Sequence, residues 1–125
     1  MLSFLLDEHV SPEVAAITVN LRPEIPVTSI PEWDAGVWVG ENDEALLRAA
    51  RSAGLTLVTY DLRTIPPLLK RWAEAGETHG GIVFVDERTT APNDFGALAR
   101  SLIRFWDLHQ GLEWTNRLAF LQRAQ

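Results

Sequence analysis

The sequence predicts an α/β fold: a three-layer α/β/α sandwich in which a mainly parallel sheet of four to five strands carries helices on both faces. Strand-like and helix-like segments alternate along the whole chain, and the strand-like runs are apolar throughout, without the inside/outside alternation of a half-exposed sheet. The helical segments bring their own start and stop signals. At 125 residues and 46% hydrophobic, the chain fits one domain, 1–125, around a single core.

The first strand is read at "LSFLL", an apolar run too short for a helix and bounded by charge. Ser11 and Pro12 then start a helix, with a capping hydroxyl and a proline whose missing N–H costs nothing in the first turn. Val14, Ile17 and Leu21 are expected to face inward, and the helix to end near "RPEIP". "VTSI" follows as a second strand. Residues 31–41, "PEWDAGVWVGE", read as a structured loop. Asn42 can cap the helix "DEALLRAARSA", whose Ala45, Leu46, Ala49, Ala50 and Ala53 form an apolar face, with Gly54 as its left-handed stop. "LTLVTY" is the third strand, "LLKRWAEAGE" a helix entered through Thr64-Ile65-Pro66-Pro67, and "GGIVFVD" the fourth strand. "APNDFGALARSLIRFWDLHQG" is the clearest amphipathic helix, with Phe95, Leu98, Leu102, Phe105 and Trp106 inward and Gly111 as its stop. "NRLAFL" supplies a fifth strand.

No run is long and apolar enough for a membrane span or signal peptide, so a cytoplasmic protein without membrane contact is expected. The absence of cysteine excludes disulfides, thiolate metal sites and cysteine nucleophiles. His9, His79 and His109 have no zinc spacing, and "GENDE" and "HGG" do not make a phosphate loop. The net charge of −6 argues against nucleic acid at first, but it is unevenly spread. Through Leu62 there are ten acids against three arginines, whereas from Arg63 onward eight bases face seven acids. Acids converging on divalent cations would open the way to a polyanionic substrate; the alternative is an acidic solvated surface.

Open parallel sheets bind ligands beyond the carboxyl ends of their strands. Asp7-Glu8 ends the first strand, Asp61 follows the third, Asp86-Glu87 the fourth, and Asp43-Glu44 opens a helix beginning at the same edge. Each has a structural alternative. A first-turn acid gains roughly 0.3–1 kcal/mol from the helix dipole, Asp61 can cap the turn into "LRTIPP", and Asp86-Glu87 can be solvated. Like charges in one crevice resist burial unless a cation joins them, and Lys70 is the only lysine. A hard ion such as Mg²⁺ or Mn²⁺, held by carboxylates, would suit phosphodiester hydrolysis.

The segments "LLDEHVSPEVA", "NDEALLRAARSAG", "LVTYD" and "GGIVFV", in that order, resemble the PIN-like nuclease superfamily, in its compact bacterial branch related to VapC-type toxin ribonucleases. That resemblance, which covers most of the chain, implies a metal-dependent acidic site, RNA as substrate and, in toxin settings, a cognate antitoxin protein. It assigns Asp7, Asp43 and Asp61 as metal ligands, with Glu44 and Glu8 as further catalytic acids. Relatives often place a second acid soon after the third-strand aspartate; here "LRTIPPLL" stands instead, and Asp86 is the candidate replacement. Arg63, Lys70, Arg71, Arg88 and His9 are candidate RNA contacts, and a homodimer is a further expectation.

Two other readings stand beside it. "LLDEHV" with "TYDLRTIPP" is similar to receiver domains of two-component signalling, with Asp61 as the phosphorylated residue. Receivers also need a hydroxyl residue after the fourth strand and a lysine after the fifth, where this chain has Asp86-Glu87-Arg88 and no lysine. A binding module without chemistry would use Trp33 and Trp38 as a partner surface, while Trp72 and Trp106 are expected in the core.

Overall fold

The computed structural model describes residues 1–124. Five strands, β1 (Phe4–Leu6), β2 (Val27–Ser29), β3 (Thr56–Thr59), β4 (Ile82–Phe84) and β5 (Leu118–Phe120), form one sheet in the order β2-β1-β3-β4-β5, every pair parallel. Four helices connect them: α1 (Pro12–Leu21), α2 (Asp43–Ser52), α3 (Ile65–Glu74) and α4 (Phe95–His109). The three-layer α/β reading therefore holds.

Most local signals act as expected. Ser11 caps α1 through its hydroxyl and Asn42 caps α2 through its side-chain oxygen. Gly54, at φ +72°, follows α2 in the left-handed conformation. The inward faces are partly different. On α1 the buried positions are Val14, Ala15 and Thr18, whose hydroxyl bonds back to the Val14 carbonyl, while Leu21 is 55% exposed and Ile17 only half-buried. The 3.6-residue turn puts both 18 and 21 on the face of residue 14, but Leu21 is the last residue of α1. On α2, Leu47 replaces Ala53 on the buried face. α4 ends at His109, with Gln110 as its cap in ordinary helical conformation, just before Gly111, which is not left-handed.

Asp94 caps α4, accepting the Ala97 N–H at 3.2 Å while pairing with Arg123. Asp94→Ala is expected to lower stability by about 1 kcal/mol in urea unfolding, the usual worth of a lost N-cap.

The two faces of the sheet have separate cores. Phe4, Leu6, Val58 and Val83 pack under α1 and α4, with Phe105, Trp106 and Trp114. Leu5, Leu57, Ile82 and Phe84 pack under α2 and α3, with Trp72. Trp114 sits against Phe105 and His109, and its carbonyl lies 2.7 Å from where a Cβ on Gly81 would stand. Gly81, at φ +101°, is required there on both counts.

The helix placement has a topological consequence. β2→β3, β3→β4 and β4→β5 all step the same way across the sheet, so connections of one hand would put α2, α3 and α4 on one face. α4 instead lies with α1 on the opposite face. The β4-α4-β5 crossover thus has the opposite hand to the other three. The α3-side face of β5 is left without a helix, and Leu118 and Phe120 are 53% and 55% exposed there.

Candidate functional site

The strand order reverses between β1 and β3, which is where an open sheet of this order has its ligand crevice. Asp7 follows β1 and stands one step beyond the Leu6–Val58 pair, opposite Thr59. The Thr59 hydroxyl donates to Asp7 Oδ2 at 2.6 Å and accepts the Asp61 N–H at 3.0 Å. β3 ends at Thr59, so Asp61 lies two residues into the following loop rather than at the strand's last residue.

Asp61 does the turn-capping job open to it. Its Oδ1 accepts the N–H groups of Arg63 (2.9 Å) and Thr64 (2.8 Å), and its Oδ2 accepts the Thr64 hydroxyl. Burial acts to raise this carboxyl, but the Thr64 hydroxyl, the two N–H groups and the nearby His9 outweigh it and hold Asp61 below its ordinary range. Thr64 opens α3 without capping it, because its hydroxyl is turned to Asp61 and lies 3.4 Å from Asp43 Oδ2.

Asp43, first residue of α2, completes the group. Burial, then the charges of Asp7 and Asp61, push its carboxyl up; the Thr64 hydroxyl pulls the other way and Glu8 adds a smaller upward push. Of the acids predicted to gather at this edge, Asp7 and Asp61 therefore lie close enough to Asp43 for their charges to act on it. Among the described residues, none of the ion pairs involves Asp7, Asp43 or Asp61.

Asp43→Asn gives the charge balance a direct readout. A raised folded-state carboxyl costs stability above its titration and nothing below the ordinary carboxylate value, so stability falls as pH rises between the two. The helix dipole partly offsets this cost. Asn is expected to stabilise the protein near about pH 7 by no more than about 1 kcal/mol, the side chain being partly open to solvent. The gain should vanish below about pH 3, where both states hold the proton. Calorimetry at the two pH values checks it.

Glu8 has a role that sequence reasoning left open. It is exposed, and its Oε1 accepts the Gly40 N–H at 2.6 Å, tying the 31–41 loop to this edge. In that loop Trp33 and Trp38 stack at 5.8 Å and cover the α2/α3 core, half-buried. Glu44 is exposed beside Asp43 and shares a shallow depression with Thr64, Leu68 and Arg71. His9 and Arg63 are also exposed there.

Asp86 does not join the group. It is held by its own near neighbour Arg88, Oδ2 to Nη2 2.9 Å, with the Arg88 N–H on Oδ1, and these contacts keep it below its usual range. Asp86 is absent from the charges acting on Asp43. Arg88, spent on that pair, stands 88% exposed in its side chain. Thr59 and Thr64 were missed in the sequence. Their signal lies in "TYD", where a threonine at the end of the strand stands two residues before the acid, and in the threonine before "IPP".

Among the described residues, no three His, Asp or Glu side chains close on a common ion as they stand. The cause is visible in the hydrogen bonds: Asp7 and Asp61 turn their oxygens onto Thr59, Thr64 and backbone N–H groups. Compared with known protein families, curated proteins and solved structures, the chain matches none of them.

Proposed function

We propose that the chain is a PIN-like, Mg²⁺- or Mn²⁺-dependent endoribonuclease, with the toxin role in a toxin–antitoxin pair as the setting its motifs suggest. The supporting observation is the convergence of Asp7, Asp43 and Asp61 at the β1/β3 crevice: Thr59 bonds Asp7 and the Asp61 backbone, Thr64 lies between Asp61 and Asp43, and burial, then the charges of Asp7 and Asp61, push the Asp43 carboxyl up. Like charges gathered at a strand edge without an arginine or lysine partner call for a cation. The donors are all oxygen, which suits a hard divalent ion.

Asp7, Asp43 and Asp61 would hold the cation, and Asp61 would release the Thr64 hydroxyl to do so. A cation bound there would lower the pKa of a water and stabilise charge on a phosphoryl oxygen. The chain's own contribution is positional. Thr59 fixes Asp7 through its hydroxyl and the Asp61 backbone through its oxygen. Glu44 or Glu8 would orient the attacking water, while Arg63 and His9 would meet the RNA backbone. An antitoxin would be the protein partner.

The strand order also belongs to receiver domains, which favours a second reading with Asp61 as phosphoacceptor. Three features weigh against it. The residue after β4 is Val85, buried and without a hydroxyl, and Arg123 beyond β5 is tied to Asp94. α4 also lies on the face opposite α2 and α3, unlike a uniformly right-handed winding.

Purified protein incubated with structured and single-stranded RNA should cleave it when Mn²⁺ or Mg²⁺ is added and stop when the metal is chelated. Cleavage indifferent to chelation, or none with either ion, would sink the nuclease reading. Phosphorylation of Asp61 by acetyl phosphate would support the receiver instead.

A further inference from the structure

β5 is an edge strand, bonded only to β4. The bonds at its ends, Ile82 N–H to the Arg117 carbonyl and Leu121 N–H to the Phe84 carbonyl, fix which residues face β4. By the alternation of a parallel ladder, the N–H and C=O groups of Leu118 and Phe120 point away from the sheet. Their side chains stand on the face that the displaced α4 leaves uncovered. The other edge, β2, exposes no large apolar side chain.

On its α4 side the same strand borders the groove formed by Arg104, Leu108, His109, Ala119, Phe120 and Arg123. Two arginines and a histidine line it and no carboxylate does, in a chain of net charge −6. Arg123 is shared with Asp94, whereas Arg104 has no carboxylate at ion-pair distance among the described residues. Leu108, on the rim, is 63% exposed.

We infer that the β5 edge is the docking site of an extended, acidic segment of a partner protein, which adds a strand beside β5 and places carboxylates against Arg104 and Arg123. Open N–H and C=O groups at strand spacing select a polypeptide backbone over a phosphate chain. Exposed apolar side chains on the same strand supply its anchor, since unprotected edges of this kind are templates for pairing. A second copy of this chain fits less well, because it would bring the same arginines against themselves. The inference uses no residue of the acidic crevice and does not rest on the nuclease reading.

A short blocked peptide alternating valine with glutamate, titrated into isotope-labelled full-length protein, is expected to shift the amide signals of residues 118–121. The matching valine–lysine peptide is not expected to shift them. Arg104→Glu should weaken the binding several-fold. Phe120→Pro, which removes an outward N–H and is tolerated at an edge, should abolish it while leaving the melting temperature nearly unchanged. Equal shifts with the lysine peptide, or none with either, would overturn the inference. So would shifts of the same amides by an oligonucleotide alone, or a dimer in which those amides are already protected.

Discussion

Asp7→Asn is expected to remove metal-dependent RNA cleavage almost completely while leaving the protein folded. Asp7 is the proposed ligand whose position the fold controls most tightly: it extends β1, its backbone N–H bonds to the Val58 carbonyl at 3.0 Å, and both of its oxygens are hydrogen-bonded. Asparagine keeps the shape and one carbonyl oxygen, so the bond from the Glu8 N–H or from Thr59 survives. The stability change should stay within about 1 kcal/mol. The lost negative charge, by contrast, would weaken the hold on the proposed cation, whose contribution to a transition state would be several kcal/mol. At 1.36 kcal/mol per tenfold, the rate should fall by on the order of 10²–10⁴. Asp61→Asn should behave alike in activity but cost more stability, because its charged oxygens accept the Arg63 and Thr64 N–H groups and the Thr64 hydroxyl. Cleavage of RNA by freshly purified variants is the measurement. Variants as active as the wild type would mean that the activity comes from elsewhere.

Trp106→Ala should have the largest effect on folding. The side chain is 5% exposed in the α1/α4 core, and its Nε1–H donates to the Leu2 carbonyl at 2.9 Å, pinning the start of β1 to the last helix. Truncation leaves a cavity and an unpaired buried carbonyl, together costing about 3–5 kcal/mol. That is a large part of the 5–15 kcal/mol, roughly, that holds a domain together. Urea unfolding should separate this variant from Trp38→Ala, in which a half-buried loop ring bonded to Asp34 is lost at a cost of about 1 kcal/mol. Similar losses for the two would contradict the division between core and covering tryptophans.

The contrast between those two residues also marks how far the sequence could be read. Helical spacing put Trp106 and Trp72 in the core, and both are buried. Unbroken apolar runs identified β1, β3 and β4 as inner strands, because a parallel sheet covered on both faces leaves no polar alternation. The gathering of Asp7, Asp43 and Asp61 at one edge followed from the same logic, since strand ends and helix starts share that edge in any βαβ unit. What stayed illegible depended on side-chain conformation and on contacts between distant segments. Nothing near Asp86 announces that Arg88 will fold back onto it rather than leave it for the crevice. The hand of a crossover is a property of the whole chain path, so α4 joining α1, with Leu118 and Phe120 left bare, has no local signal. Thr59 was read as part of a strand, and its hydroxyl became important only because β1 arrived beside it.

That hydroxyl spans a large distance in sequence: the Thr59–Asp7 bond joins positions 52 residues apart. Two helices, β2 and the 31–41 loop lie between β1 and β3 in sequence, and chain closures of this length are slow compared with helix formation. The chemistry at the crevice is accordingly tied to the order of folding. During synthesis Asp7 emerges early and Asp43 next, but neither has its neighbours until β3 docks. Incompletely folded chains therefore carry all of the acids and none of the arrangement, and any activity of the crevice begins only when the two central strands have met.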